Sequence, residues 1–74
     1  MKSISLEELA EELYDLSSNR EITSLEITKA LKSKFGDPAH YPEQEISDVI
    51  RKWRACGSGL EKTCKKILEL LWQS

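Results

Sequence analysis

Apolar residues recur along this chain in threes and fours. Leu6, Leu9, Ala10, Leu13 and Leu16 share one side of a helix drawn over about 6–17, and Ile27, Ala30, Leu31 and Phe35 do the same over about 24–35. Ile46, Val49, Ile50 and Trp53 make a third stripe over about 42–55, and Leu60, Cys64, Ile67, Leu68 and Leu71 a fourth over about 59–72. A period near 3.6 residues gathers each set on one helix face. No alternating run of β-branched residues and no Asn-Gly or Asp-Gly turn marks a strand or hairpin.

The helix starts carry the most specific signals. In a capping box, Ser or Thr is followed three residues later by Glu or Gln, and the two side chains satisfy free backbone N–H groups at the helix start. The chain has three such pairs: Ser5 with Glu8, Thr23 with Glu26 and Ser58 with Glu61. The first two add a hydrophobic staple, Ile4 with Leu9 and Ile22 with Ile27. Pro42 suits the first position of the third helix, where a missing N–H costs nothing, and Gly36 suits the end of the second. The connections "SSNRE", "GDPAHY" and "CGSG" are short, so neighbours in sequence are expected to be neighbours in space. The expected fold is all-α, a compact antiparallel or orthogonal four-helix bundle, with residues 1–74 forming a single helical domain. "SLEELAEEL" and "TSLEITKAL" look alike only because both contain a capping box.

Size narrows the functional classes. A chain of 74 residues buries roughly 60% of its unfolded surface, which leaves room for one core and no deep substrate cavity. Hydrophobic residues make up 39% and charged residues 32%, a globular balance. No apolar run approaches the ~18 residues of a membrane span, and "MKSISLEELAEEL" lacks the apolar core of a signal peptide. The expected setting is intracellular, with no membrane partner.

Candidate chemistry is sparse. Cys56 and Cys64 are eight positions apart and His40 is the sole histidine, which falls short of the four ligands and close cysteine pairs of structural zinc. Helical phase turns Cys64 inward, as a small buried hydrophobe, and leaves Cys56 exposed at a helix joint. "TSLEITKALKSKFG" resembles the segment of acyl carrier proteins in which Asp-Ser-Leu opens a helix and the serine bears phosphopantetheine, putting Ser24 in that serine's place. Thr23 stands where that family has aspartate, only 23 residues precede the serine, and Lys29, Lys32 and Lys34 occupy what should be an acidic helix. Ser24 therefore reads as a first-turn residue beside a Thr23 cap. Asp37 and His40 have no nucleophile tied to them, and no Gly-rich phosphate loop occurs. Neither a cofactor nor catalysis is expected.

Charge distribution is more informative than net charge. The overall balance is −2, yet residues 1–23 carry two basic and six acidic groups, whereas residues 24–74 carry nine basic and seven acidic. Glu7, Glu8, Glu11 and Glu12 form a solvated acidic face with two like-charge i,i+4 pairs, a small cost that hints at a basic partner. Lys29, Lys32, Arg51, Lys52, Arg54, Lys62, Lys65 and Lys66 form the basic counterpart, and Trp72 is a candidate apolar anchor. The sequence thus favours a small non-catalytic protein-interaction or regulatory module. Its acidic first helix and the basic ends of the later helices would act as opposite poles that bind another protein or a second copy of the chain. The alternative is a helix-turn-helix binder of DNA or RNA using helices 2 and 3, with Lys29, Lys32, Arg51, Lys52 and Arg54 as contacts. The long "GDPAHY" connection and the acidic front "PEQEISD" of helix 3 weaken that alternative.

Overall fold

The computed structural model of the protein describes residues 4–72. It is all-α, with four helices: α1 (Leu6–Ser17), α2 (Ser24–Lys34), α3 (Glu43–Cys56) and α4 (Leu60–Trp72). The expected four-helix bundle is what the chain forms. α2 packs most extensively on α3, α1 lies against α2 and α4, and α3 lies against α2 and α4. The helices therefore make a ring in chain order, with α1 and α3 across from each other.

The first two starts follow from their caps. The Ser5 hydroxyl accepts the Glu8 N–H at 3.1 Å and donates to the Glu8 carboxylate at 3.2 Å. Thr23 and Glu26 form the full reciprocal box, with Glu26 N–H on the Thr23 hydroxyl at 3.1 Å and Thr23 N–H on the Glu26 carboxylate at 3.0 Å. These bonds hold the Glu26 carboxyl below its ordinary pKa, the backbone N–H of Thr23 contributing most and its hydroxyl next. At the far end of α2, Gly36 N–H donates to Ser33 O and Asp37 N–H to Lys32 O, the paired bonds of a Schellman motif.

Two expected starts are corrected. Pro42 caps α3 from outside, and the helix begins at Glu43 with Ile46 N–H donating to Pro42 O at 3.0 Å. α4 begins at Leu60, and Gly59 sits at the cap position, its carbonyl accepting the Thr63 N–H at 2.9 Å. The Ser58–Glu61 box does not form; Glu61 instead pairs with Lys65 at 3.4 Å. The cause lies in the backbone of the joint: Gly57 has φ 75° and Gly59 φ 85°, left-handed values that reverse the chain within three residues. A Cβ at either position would meet nothing within 4 Å, so conformation, not crowding, requires glycine there.

The buried side chains form one cluster. Leu9 and Leu13 come from α1, Ile27 and Leu31 from α2 with Phe35 just beyond it, Ile46 and Ile50 from α3, and Cys64, Ile67 and Leu71 from α4. All ten belong to the stripes read from the sequence. Thr28 is an unexpected eleventh buried residue; its hydroxyl is satisfied by the Ser24 carbonyl at 2.7 Å. The loop residue Tyr41 is a second departure. It is half-buried against Phe35, with ring centroids 6.3 Å apart, and its hydroxyl donates to Thr28 O at 2.6 Å. Burial, with Glu43 adding to it, raises the Tyr41 pKa, so the phenol keeps its proton as a donor.

Candidate functional site

The hairpin of α3 and α4 leaves a groove on its outer side. Along α3, Val49, Lys52, Trp53 and Cys56 follow at i, i+3, i+4 and i+7; along α4, Lys62, Thr63, Lys66 and Glu69 fall on the facing side. The two rows bound an open groove of about 540 Å³, closed at one end by Ser58 and Gly59. Its apolar part comes from Val49 and Trp53, both half-buried against the core. Its rim is basic. Lys52, Lys62 and Lys66 are exposed and make no ion pair among the described residues, whereas Lys65 is engaged by Glu61. Lysine stems can lie along apolar surface while their ammonium groups stay in water, so such a rim extends the apolar contact it borders.

The acidic counterpart lies on the opposite edge of the ring. Glu8, Glu11, Glu12 and Asp15 of α1, with Ile4 and Lys34, line a hollow of about 310 Å³ along the side of α1 that faces α2. Lys34 approaches Glu12 at 3.8 Å and partly neutralises that end. Glu7 and Glu11 are exposed and have no cationic partner among the described residues. A third hollow, of about 650 Å³, separates the start of α1 from the end of α4, lined by Leu6, Lys65, Leu68, Glu69 and Trp72. Trp72 is 68% exposed there, so it does not close the end of the bundle.

The basic residues read from the sequence do not form one surface. Lys52, Lys62, Lys65 and Lys66 meet at the α3–α4 groove. Lys29 and Lys32 stand on α2, away from that groove, and Arg51 bonds to Asp48 on its own helix. Arg54 is a correction: its guanidinium donates to the Ile22 carbonyl at 2.7 Å, tying the end of α3 to the α1–α2 joint. It is half-buried and acts as a structural clasp. The front of α3 presents Glu43, Glu45 and Asp48, and residues 35–42 separate α2 from α3, so the tight turn and cationic leading end of a helix-turn-helix unit do not form.

Tyr41 had a sequence signal that local reading passed over. It stands just before the Pro42 cap and five residues before Ile46, the same spacing as Ile4–Leu9 and Ile22–Ile27, so a third staple was written in the chain. Arg54 had none, because its acceptor is a carbonyl 32 residues away.

The remaining reactive side chains are dispersed. Cys64 is fully buried and its thiol is pushed up to about 11 by burial, while Cys56 is exposed at the groove. Among the described residues no group of three His, Cys, Asp or Glu side chains is placed to hold a metal ion, and no helix is long and apolar enough to cross a membrane. No protein-family model matches this chain, and no curated protein and no solved structure matches it at a significant level.

Proposed function

We propose that the chain is a non-catalytic protein-interaction module whose α3–α4 groove receives an acidic amphipathic helix. The observation that carries this reading is the row of Lys52, Lys62 and Lys66, without ion pairs among the described residues, beside the apolar surface of Val49 and Trp53. A helix laid in such a groove buries apolar anchors against Trp53 and offers carboxylates to the lysines, the usual division of labour in helix-in-groove recognition. The lysines steer encounter and fix orientation; desolvation of the aromatic surface supplies most of the affinity. Nucleic-acid binding ranks second. Two of its five contacts, Arg51 and Arg54, are engaged within the chain, and the leading end of α3 is acidic.

The test is a titration of a labelled acidic amphipathic peptide and of generic duplex DNA at low and high salt. The expected result is saturable peptide binding that weakens with salt, is lost in K52E/K62E/K66E and is kept in K29E/K32E. Steep salt-dependent DNA binding, lost in K29E/K32E, would replace this reading with the second. Binding of neither probe overturns the groove as a recognition surface.

A further inference from the structure

We infer that the groove's partner is a second copy of this chain: the outer face of α1 from one molecule seats in the α3–α4 groove of the next. The inference rests on the groove reading above and adds the occupant's identity.

Charge is the first argument. Glu7 and Glu11 lack cationic partners among the described residues, as Lys52, Lys62 and Lys66 lack anionic ones. Among the described residues, the carboxylate of Glu8 is met only by the Ser5 hydroxyl. The like-charge pairs Glu7–Glu11 and Glu8–Glu12 disfavour α1 in isolation, and an opposing row of ammonium groups reverses that cost. Shape is the second argument. Tyr14 follows Glu7 and Glu11 at i+7 and i+3, so it lies on the same face, and it is 63% exposed. The stretch from Glu7 to Tyr14 covers seven residue steps, as does Val49 to Cys56 along the groove, about 10 Å in each case. An acidic strip ending in an exposed aromatic ring thus matches a basic groove with an aromatic wall in length, charge and apolar content.

Placement decides the kind of assembly. In the ring of helices, α1 stands across from α3, and among the described residues neither Glu7 nor Glu11 pairs with a groove lysine of its own molecule. Two different surfaces that meet head to tail leave a free acidic face at one end and a free groove at the other. The contact is heterologous and continues as an open chain or closes as a ring.

Sedimentation velocity with two half-dead variants tests this. E7K/E11K keeps the groove and leaves the Ser5–Glu8 cap intact; K52E/K62E/K66E keeps the acidic face. All five positions are exposed, and far-ultraviolet circular dichroism checks folding, with E7Q/E11Q replacing the reversal variant if it unfolds. At low salt the native chain should show a weight-average mass that rises with concentration beyond twice 8.5 kDa and falls back at high salt. Each variant alone should stay at 8.5 kDa, and their mixture should regain assembly, reaching at least a 1:1 pair of twice that mass. A native chain that stays monomeric at low salt overturns the inference, as does an assembly that persists in either variant alone or a mixture that forms no pair. If the acidic peptide still binds the native groove in those cases, the second-copy inference fails while the groove reading stands. If the peptide also fails to bind, both fall.

Discussion

The two connections that flank α3 are built on different principles. Between α2 and α3, side chains reinforce a backbone turn: beside the Schellman bonds made by the left-handed Gly36 and Asp37, the Tyr41 hydroxyl donates to the Thr28 carbonyl and the Phe35 and Tyr41 rings meet. Between α3 and α4, backbone conformation alone makes the turn, through two left-handed glycines with open space around them. The first connection spends its aromatic residues on the core. The second leaves Lys52, Lys62, Lys66 and Cys56 uncommitted and Trp53 only half-covered. A chain this short cannot use every side chain twice, and the residues that line the groove are ones the α2–α3 connection does not use.

Substitutions that attack the fastened side should separate sharply from those that attack the groove. The largest effect is expected for Phe35→Ala, at 1% exposure the anchor of the α2–α3 connection. Losing it should cost about 3–5 kcal/mol, enough to leave a marginal domain largely unfolded in a urea titration. Arg54→Ala should come next, at about 1.5–3 kcal/mol for a lost charge-assisted bond. It should leave peptide affinity unchanged wherever the chain remains folded, which distinguishes a clasp from a recognition residue.

Thr23→Ala should cost about 1 kcal/mol, seen as a fall in melting temperature of roughly 4–8 °C. That effect depends on pH in a defined direction. Because Glu26 has a lowered pKa in the folded chain, its contribution is present above the ordinary value of 4.5 and is lost as pH falls through the lower folded value. Glu26→Gln should therefore melt below the native chain at neutral pH, and the gap should close on acidification. The smallest effect on stability, within about 0.5 kcal/mol, is expected for K52E/K62E/K66E. Equal stability losses in Arg54→Ala and the triple lysine variant would erase the distinction between the two sides.

The fold was legible where the signals are local. The Thr23–Glu26 box, the Ser5 cap, two staples and four apolar stripes place the helices and name all ten buried apolar residues; the Ser5–Glu8 box forms only by half, because the Glu8 carboxylate meets the Ser5 hydroxyl and not its N–H. The third box misled because Ser-x-x-Glu presumes extended backbone at the serine with the helix following at once, whereas Gly57 and Gly59 delay the start to Leu60. Arg54 was read as surface charge because a guanidinium bonded to a distant carbonyl leaves no local pattern. The lysines of the groove were visible as residues but not as a site. Their rows belong to two helices, and only the closeness of α3 and α4 turns two exposed faces into one concavity.

The two cysteines give the groove a ready-made reporter. A maleimide or nitroxide reagent meets an exposed thiol at Cys56 and a fully buried one at Cys64, whose thiolate is scarce below a pKa of about 11. A probe attached to the native chain would therefore sit at the Ser58–Gly59 end of the groove without any engineered handle, and its mobility would register whatever enters there.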